Sequence, residues 1–113
     1  MQKILILAVL FHIATADSPV FHVEGCDGRY TLTYEDARSE CEKYRTEIAT
    51  YEDLEEAWNV GYEKCRAGWL DGVRVAYPMQ EAIGTCGNKV GIVEVNNVDE
   101  SKTYDVYCKT HGY

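Results

Sequence analysis

The sequence predicts an α+β fold, with two helices set among short strands in one disulfide-stapled domain. Three observations carry that prediction. The 113 residues suffice for one compact domain and no more. Two segments place apolar residues at helical spacing behind threonine capping signals, and the remainder alternates short β-rich runs with glycine turns. Five cysteines in so short a chain point to an oxidising destination.

The chain opens with Met1–Gln2–Lys3, an apolar run from Ile4 to Ile13 and the small-x-small triplet Ala14–Thr15–Ala16. This is the pattern of a secretory signal peptide, expected over residues 1–16. An apolar run of about ten residues is too short for a bilayer, which needs ~20. Residues 17–113 are then a single secreted, extracellular domain with no membrane span. Removing Lys3 leaves 10 basic residues against 19 acidic ones, so the net charge moves from −8 to −9.

Val20–Val23 reads as a strand, Gly25–Cys26–Asp27–Gly28 as a turn and Arg29–Leu32 as a second strand. Thr33 with Asp36 resembles a capping box and starts a helix in which Tyr34, Ala37, Cys41 and Tyr44 share one face. Glu47–Ala49 is a brief strand. Thr50 with Asp53 repeats the capping signal, and Leu54, Ala57, Trp58, Gly61, Tyr62 and Cys65 mark a second amphipathic helix. Gly68–Leu70 leads to the turn Asp71–Gly72, and Val73 to Tyr77 alternates as a strand that Pro78 ends. A loop at Gly84–Asn88, a buried strand from Gly91 to Val95 and a last strand from Tyr104 to Cys108 complete the pattern.

The acidic balance, 19 Asp+Glu against 11 Lys+Arg, excludes a nucleic-acid binder that works through a basic surface. Metal is disfavoured because no CxxC pair exists and His12, His22 and His111 show no ligand spacing. Catalytic constellations are missing too. Glu52, Asp53, Glu55 and Glu56 read as a solvated helix face, and Cys26 near His22 lacks an orienting third residue. Ser18, Ser39 and Ser101 sit in no nucleophile elbow. Neither an enzyme nor a cofactor is expected.

Basic and aromatic residues do lie side by side, as Arg29–Tyr30, Arg66, Tyr77 and Lys89. Acidic sugars are bound by such sets: aromatic faces pack on the C–H face of a pyranose and Arg engages a carboxylate bidentately.

The run Gly28–Arg29–Tyr30–Thr31–Leu32–Thr33–Tyr34, with Ala49–Thr50–Tyr51, Ala67–Gly68–Trp69–Leu70, Asp71–Gly72, Tyr77–Pro78, Cys86–Gly87 and Tyr104–Cys108, resembles the Link module. This is the hyaluronan-binding domain of the link-protein superfamily, and the likeness covers Val20 to Tyr107. It implies two helices and two small antiparallel sheets in a C-type-lectin-like arrangement. It also implies the disulfides Cys41–Cys108 and Cys65–Cys86. Cys26 stands outside that set, as a free thiol or the bridge of a disulfide-linked dimer.

The resemblance further implies a partner, hyaluronan or a related glycosaminoglycan, with matrix proteins as additional ones. Arg29, Arg66 and Lys89 would meet glucuronate carboxylates, and Tyr30 and Tyr77 would stack on sugar rings. The sequence departs from the family pattern at Ala67, Asn88, Val95 and Val98, where aromatic or basic ligand residues are expected. A protein- or matrix-interaction module that keeps the scaffold with weak or lost hyaluronan affinity is therefore the alternative reading.

Overall fold

The computed structural model describes residues 19–111, so the expected signal peptide lies outside the described residues. The elements run β1 (Val20–Val23), α1 (Tyr34–Lys43), β2 (Glu47–Ile48), α2 (Tyr51–Asn59), β3 (Gly68–Leu70), β4 (Arg74–Met79), β5 (Gly91–Glu94) and β6 (Asp105–Lys109). A single 3₁₀ turn, Gly84–Cys86, interrupts the loop between β4 and β5.

Both helices start where the threonines predict. Thr33 Oγ1 accepts the Asp36 N–H at 3.2 Å, and Thr50 and Asp53 form a reciprocal capping box at 2.9 and 3.0 Å. Both end in the same 6→1 and 5→2 bond pair. In α1, Thr46 N–H reaches Cys41 O and Arg45 N–H reaches Glu42 O; in α2, Tyr62 N–H reaches Ala57 O and Gly61 N–H reaches Trp58 O. This corrects the sequence reading that carried the second helix to Cys65: Gly61 takes a left-handed φ of 104° and stops it after Asn59. Tyr44, expected on the helical face shared by Tyr34, Ala37 and Cys41, is instead the C-cap of α1 and is exposed.

Two antiparallel sets, β1 and β2 on either side of β6 and β5 beside β4 beside β3, correspond to the two sheets implied by the sequence. A short parallel register, Gly68 opposite Asp105 and Trp69 opposite Val106, fuses them into one mixed sheet. Side chains alternate across it. Val23, Trp69, Val75, Val106 and Cys108 pack with Tyr34, Ala37 and Cys41 of α1, whereas Val20, Leu70, Ala76 and Tyr107 pack with Leu54 and Ala57 of α2. With the period of two that a strand imposes, the helices cover opposite faces. That is why Gly68–Leu70 and Asp105–Cys108 are buried throughout.

Two strand readings need correction. Arg29–Leu32 is a turn carrying only an isolated bridge from Leu32 to Tyr104, because Tyr30 adopts φ 58°. Pro78 lies inside β4, opposite Ile92, rather than ending it. The β3 pairing stops at Ala76, so only β5 accompanies β4 there and a residue without an N–H is accommodated. Strand β5 is half-buried rather than buried.

The disulfides are Cys41–Cys108, which ties α1 to β6, and Cys65–Cys86, which ties the approach to β3 to the loop after β4. Among the described residues Cys26 is unpaired and exposed. No described helix is long and apolar enough to cross a membrane.

Candidate functional site

Three of the five predicted ligand residues meet in one place. Arg29, Tyr30 and Tyr77 line a shallow groove of about 150 Å³, completed by Ala67, Thr85 and the Cys65–Cys86 disulfide. Their convergence is long-range: Tyr30 comes from the turn before α1, Tyr77 from β4, and the disulfide links the two walls.

Tyr30 is pinned at both ends. Its backbone N–H donates to Asp105 Oδ1 at 2.8 Å, and its hydroxyl accepts the Ala67 N–H at 3.0 Å. The guanidinium carbons of Arg29 and Arg66 lie 5.2 and 5.4 Å from its ring centroid, within cation–π range. Tyr77 is half-buried, and burial followed by the nearby Tyr30 holds its hydroxyl above the ordinary tyrosine pKa. A Cβ at Gly87 would collide with the Tyr77 hydroxyl. At φ 87° that glycine also sits where other residues are strained, so the loop after Cys86 closes onto Tyr77 only because residue 87 has no side chain.

Arg66 is placed differently from expectation. Its Nη2 lies 2.6 Å from Asp105 Oδ2 and donates to Glu24 Oε1 at 2.6 Å, and its side chain is only 20% exposed. Among the described residues, its buried Nε has no hydrogen-bond partner. Arg66 therefore sits over the Tyr30 ring without lining the groove itself and carries two carboxylates already. Lys89 is exposed in the loop before β5 and does not line the groove.

Sequence reasoning missed the residue that organises this region. Asp105 is fully buried and joins His22, Arg66 and Tyr30: His22 Nε2 donates to its Oδ2 at 2.7 Å. Burial lowers the His22 pKa despite the opposing bond to Asp105. A lone acid in the apolar run Tyr104–Cys108 was the available signal, since a buried carboxylate demands partners.

A family model described as the extracellular link domain matches residues 19–109. The chain belongs to the extracellular link domain family. Over 98 residues this link domain is 40% identical to Stabilin-2 of Mus musculus, an alignment spanning 86% of the chain and 4% of that protein. It is 38% identical over 91 residues to the human Tumor necrosis factor-inducible gene 6 protein, covering 79% of the chain and 33% of that protein. It is 40% identical over 98 residues to the human Versican core protein, covering 83% and 3%. The chain thus spans a third or less of the length of these relatives. Val95 and Val98, where the resemblance leads one to expect ligand residues, are partly buried and pack against the core.

Proposed function

We propose that this link domain is a secreted, non-enzymatic module that binds hyaluronan, or a related carboxylated glycosaminoglycan, in the extracellular matrix or in cell adhesion. The observation that supports the reading is the groove shared by Arg29, Tyr30 and Tyr77. In it, the tyrosine rings pack on the C–H faces of successive sugars, and Arg29 takes a glucuronate carboxylate through two parallel N–H donors. Lys89 adds a point charge from the neighbouring loop. The cystine wall and the bonds to Asp105 and Ala67 hold Tyr30 in position before the ligand arrives, which reduces the ordering cost of binding.

Retention on immobilised hyaluronan at low salt tests the proposal. The wild-type chain is retained, and Arg29→Ala, Tyr30→Phe and Tyr77→Ala each elute earlier. Arg45→Gly, at an exposed position with φ 60° on the C-terminal end of α1, elutes with wild type. A natively folded wild type that passes straight through rejects the reading.

Two observations favour the second reading, a protein- or matrix-interaction module with weak polysaccharide affinity. Arg66 is bound to two carboxylates, and valines stand at positions 95 and 98. In either reading the exposed Cys26 thiol allows a disulfide-linked pair, visible as a reducible band of doubled mass.

A further inference from the structure

We propose that Glu24 is a built-in competitor for the ligand: its carboxylate occupies the solvent side of Arg66, where a sugar carboxylate would otherwise bind, and so limits the affinity of the groove for acidic saccharides. The inference deepens the groove reading above and rests on it.

The two acids on Arg66 are not equivalent. Asp105 is fully buried and also holds His22 and the Tyr30 backbone, so it cannot leave without breaking three contacts. Glu24 lies just beyond β1, its side chain is 46% exposed, and Arg66 is its one hydrogen-bonding or ion-pair partner among the described residues. Both acids use the same Nη2 atom at 2.6 Å. Arg66, Asp105 and Glu24 together carry a net charge of −1, so the predicted cation presents no attraction to an anion while Glu24 stays in place. The hydrogen bond from Arg66, aided by the nearby Arg29, draws the Glu24 carboxyl below its ordinary pKa. The acid therefore sits in the field of both guanidinium groups that flank Tyr30.

Displacing Glu24 is chemically simple. One carboxylate leaves Arg66 for water and another takes the same donor, with no buried group uncovered. The difference between a groove with and without this competitor is then about that of one exposed ion pair, a factor of roughly 2 to 5 in affinity.

Calorimetric titration of a hyaluronan oligosaccharide into wild type, Glu24→Gln and Glu24→Ala tests the inference. Both variants are expected to bind ~2- to 5-fold more tightly, with a steeper loss of affinity as salt rises and an unchanged thermal midpoint. The salt response separates an added charge contact from a structural effect. If wild type binds and the variants bind equally or more weakly, the competitor role is overturned while the groove reading survives. If wild type and both variants fail to bind at low salt, the groove reading falls and this inference falls with it.

Discussion

Replacing Asp105 with asparagine tests the organisation of the site most directly. The substitution is nearly isosteric, so no cavity opens and the effect is electrostatic. The amide oxygen can still accept the Tyr30 N–H, which sits 2.8 Å from Oδ1. The amide nitrogen, however, must face two other donors, Arg66 Nη2 at 2.6 Å and His22 Nε2 at 2.7 Å. Removing one partner of a buried ion pair costs about 3–5 kcal/mol when the other charge is left uncompensated. Arg66 keeps Glu24 and some solvent, and neutral His22 can turn its ring, so the loss falls to about 2–3 kcal/mol. For a domain of this size each kcal/mol moves the midpoint by about 4–8 °C, which gives a drop of roughly 8–24 °C. Thermal unfolding of the oxidised protein at pH 7, followed by near-UV circular dichroism, reads it. A drop smaller than ~3 °C would mean that Asp105 carries no structural charge pairing, and the account of Tyr30 and Arg66 as jointly anchored would be wrong.

Reduction should unfold the domain, because the bridges close loops with sequence separations of 67 and 21 residues and contribute about 4 and about 3 kcal/mol in the loop-entropy model. Retained protease resistance in reductant would contradict that. His22 has a folded pKa below 6.5, so the unfolded chain binds more protons as pH falls; its contribution to stability is complete above 6.5 and is lost on acidification through the folded pKa. His22→Gln should flatten the denaturant-midpoint profile between pH 7 and 5, and an unchanged profile counts against the assignment. Gly87→Ala should push Tyr77 aside and weaken hyaluronan retention more than it lowers the thermal midpoint. Equal retention would show that Tyr77 does not contribute to the groove as placed.

What the sequence revealed and what it hid divide along the distance between interacting residues. The starts of α1 and α2 were legible because Thr33–Asp36 and Thr50–Asp53 act over three residues. The pairing of Arg29 with Tyr30 was legible because they are neighbours. The Arg29–Leu32 strand was misread because its fate is decided 75 residues away, where Asp105 takes the Tyr30 N–H. The partners of Arg66 are hidden from the sequence for the same reason. Its chemistry depends on Glu24, 42 positions earlier, and on a buried acid in β6, and neither leaves a local trace around Cys65. Pro78 was read by a rule that holds for a strand flanked on both sides, whereas the outer half of β4 has one neighbour.

The net charge of −8 bears on affinity less than it first suggests, because the ligand meets local charge. At physiological salt, interactions beyond ~8 Å are largely screened. Away from the groove, Arg38, Lys43, Arg74 and Lys109 are each matched to a carboxylate: Asp71, Glu40, Glu94 and Asp53. Near it, Arg66 is matched twice. Arg29 and Lys89 are not held in any ion pair among the described residues, and only Arg29 lines the groove. This ranks the cations. Arg29→Ala removes the one guanidinium in the groove that is free to meet a carboxylate, and it should weaken hyaluronan binding more than Lys89→Ala does. A larger loss at Lys89 would move the binding surface off the groove and onto the loop that follows Cys86.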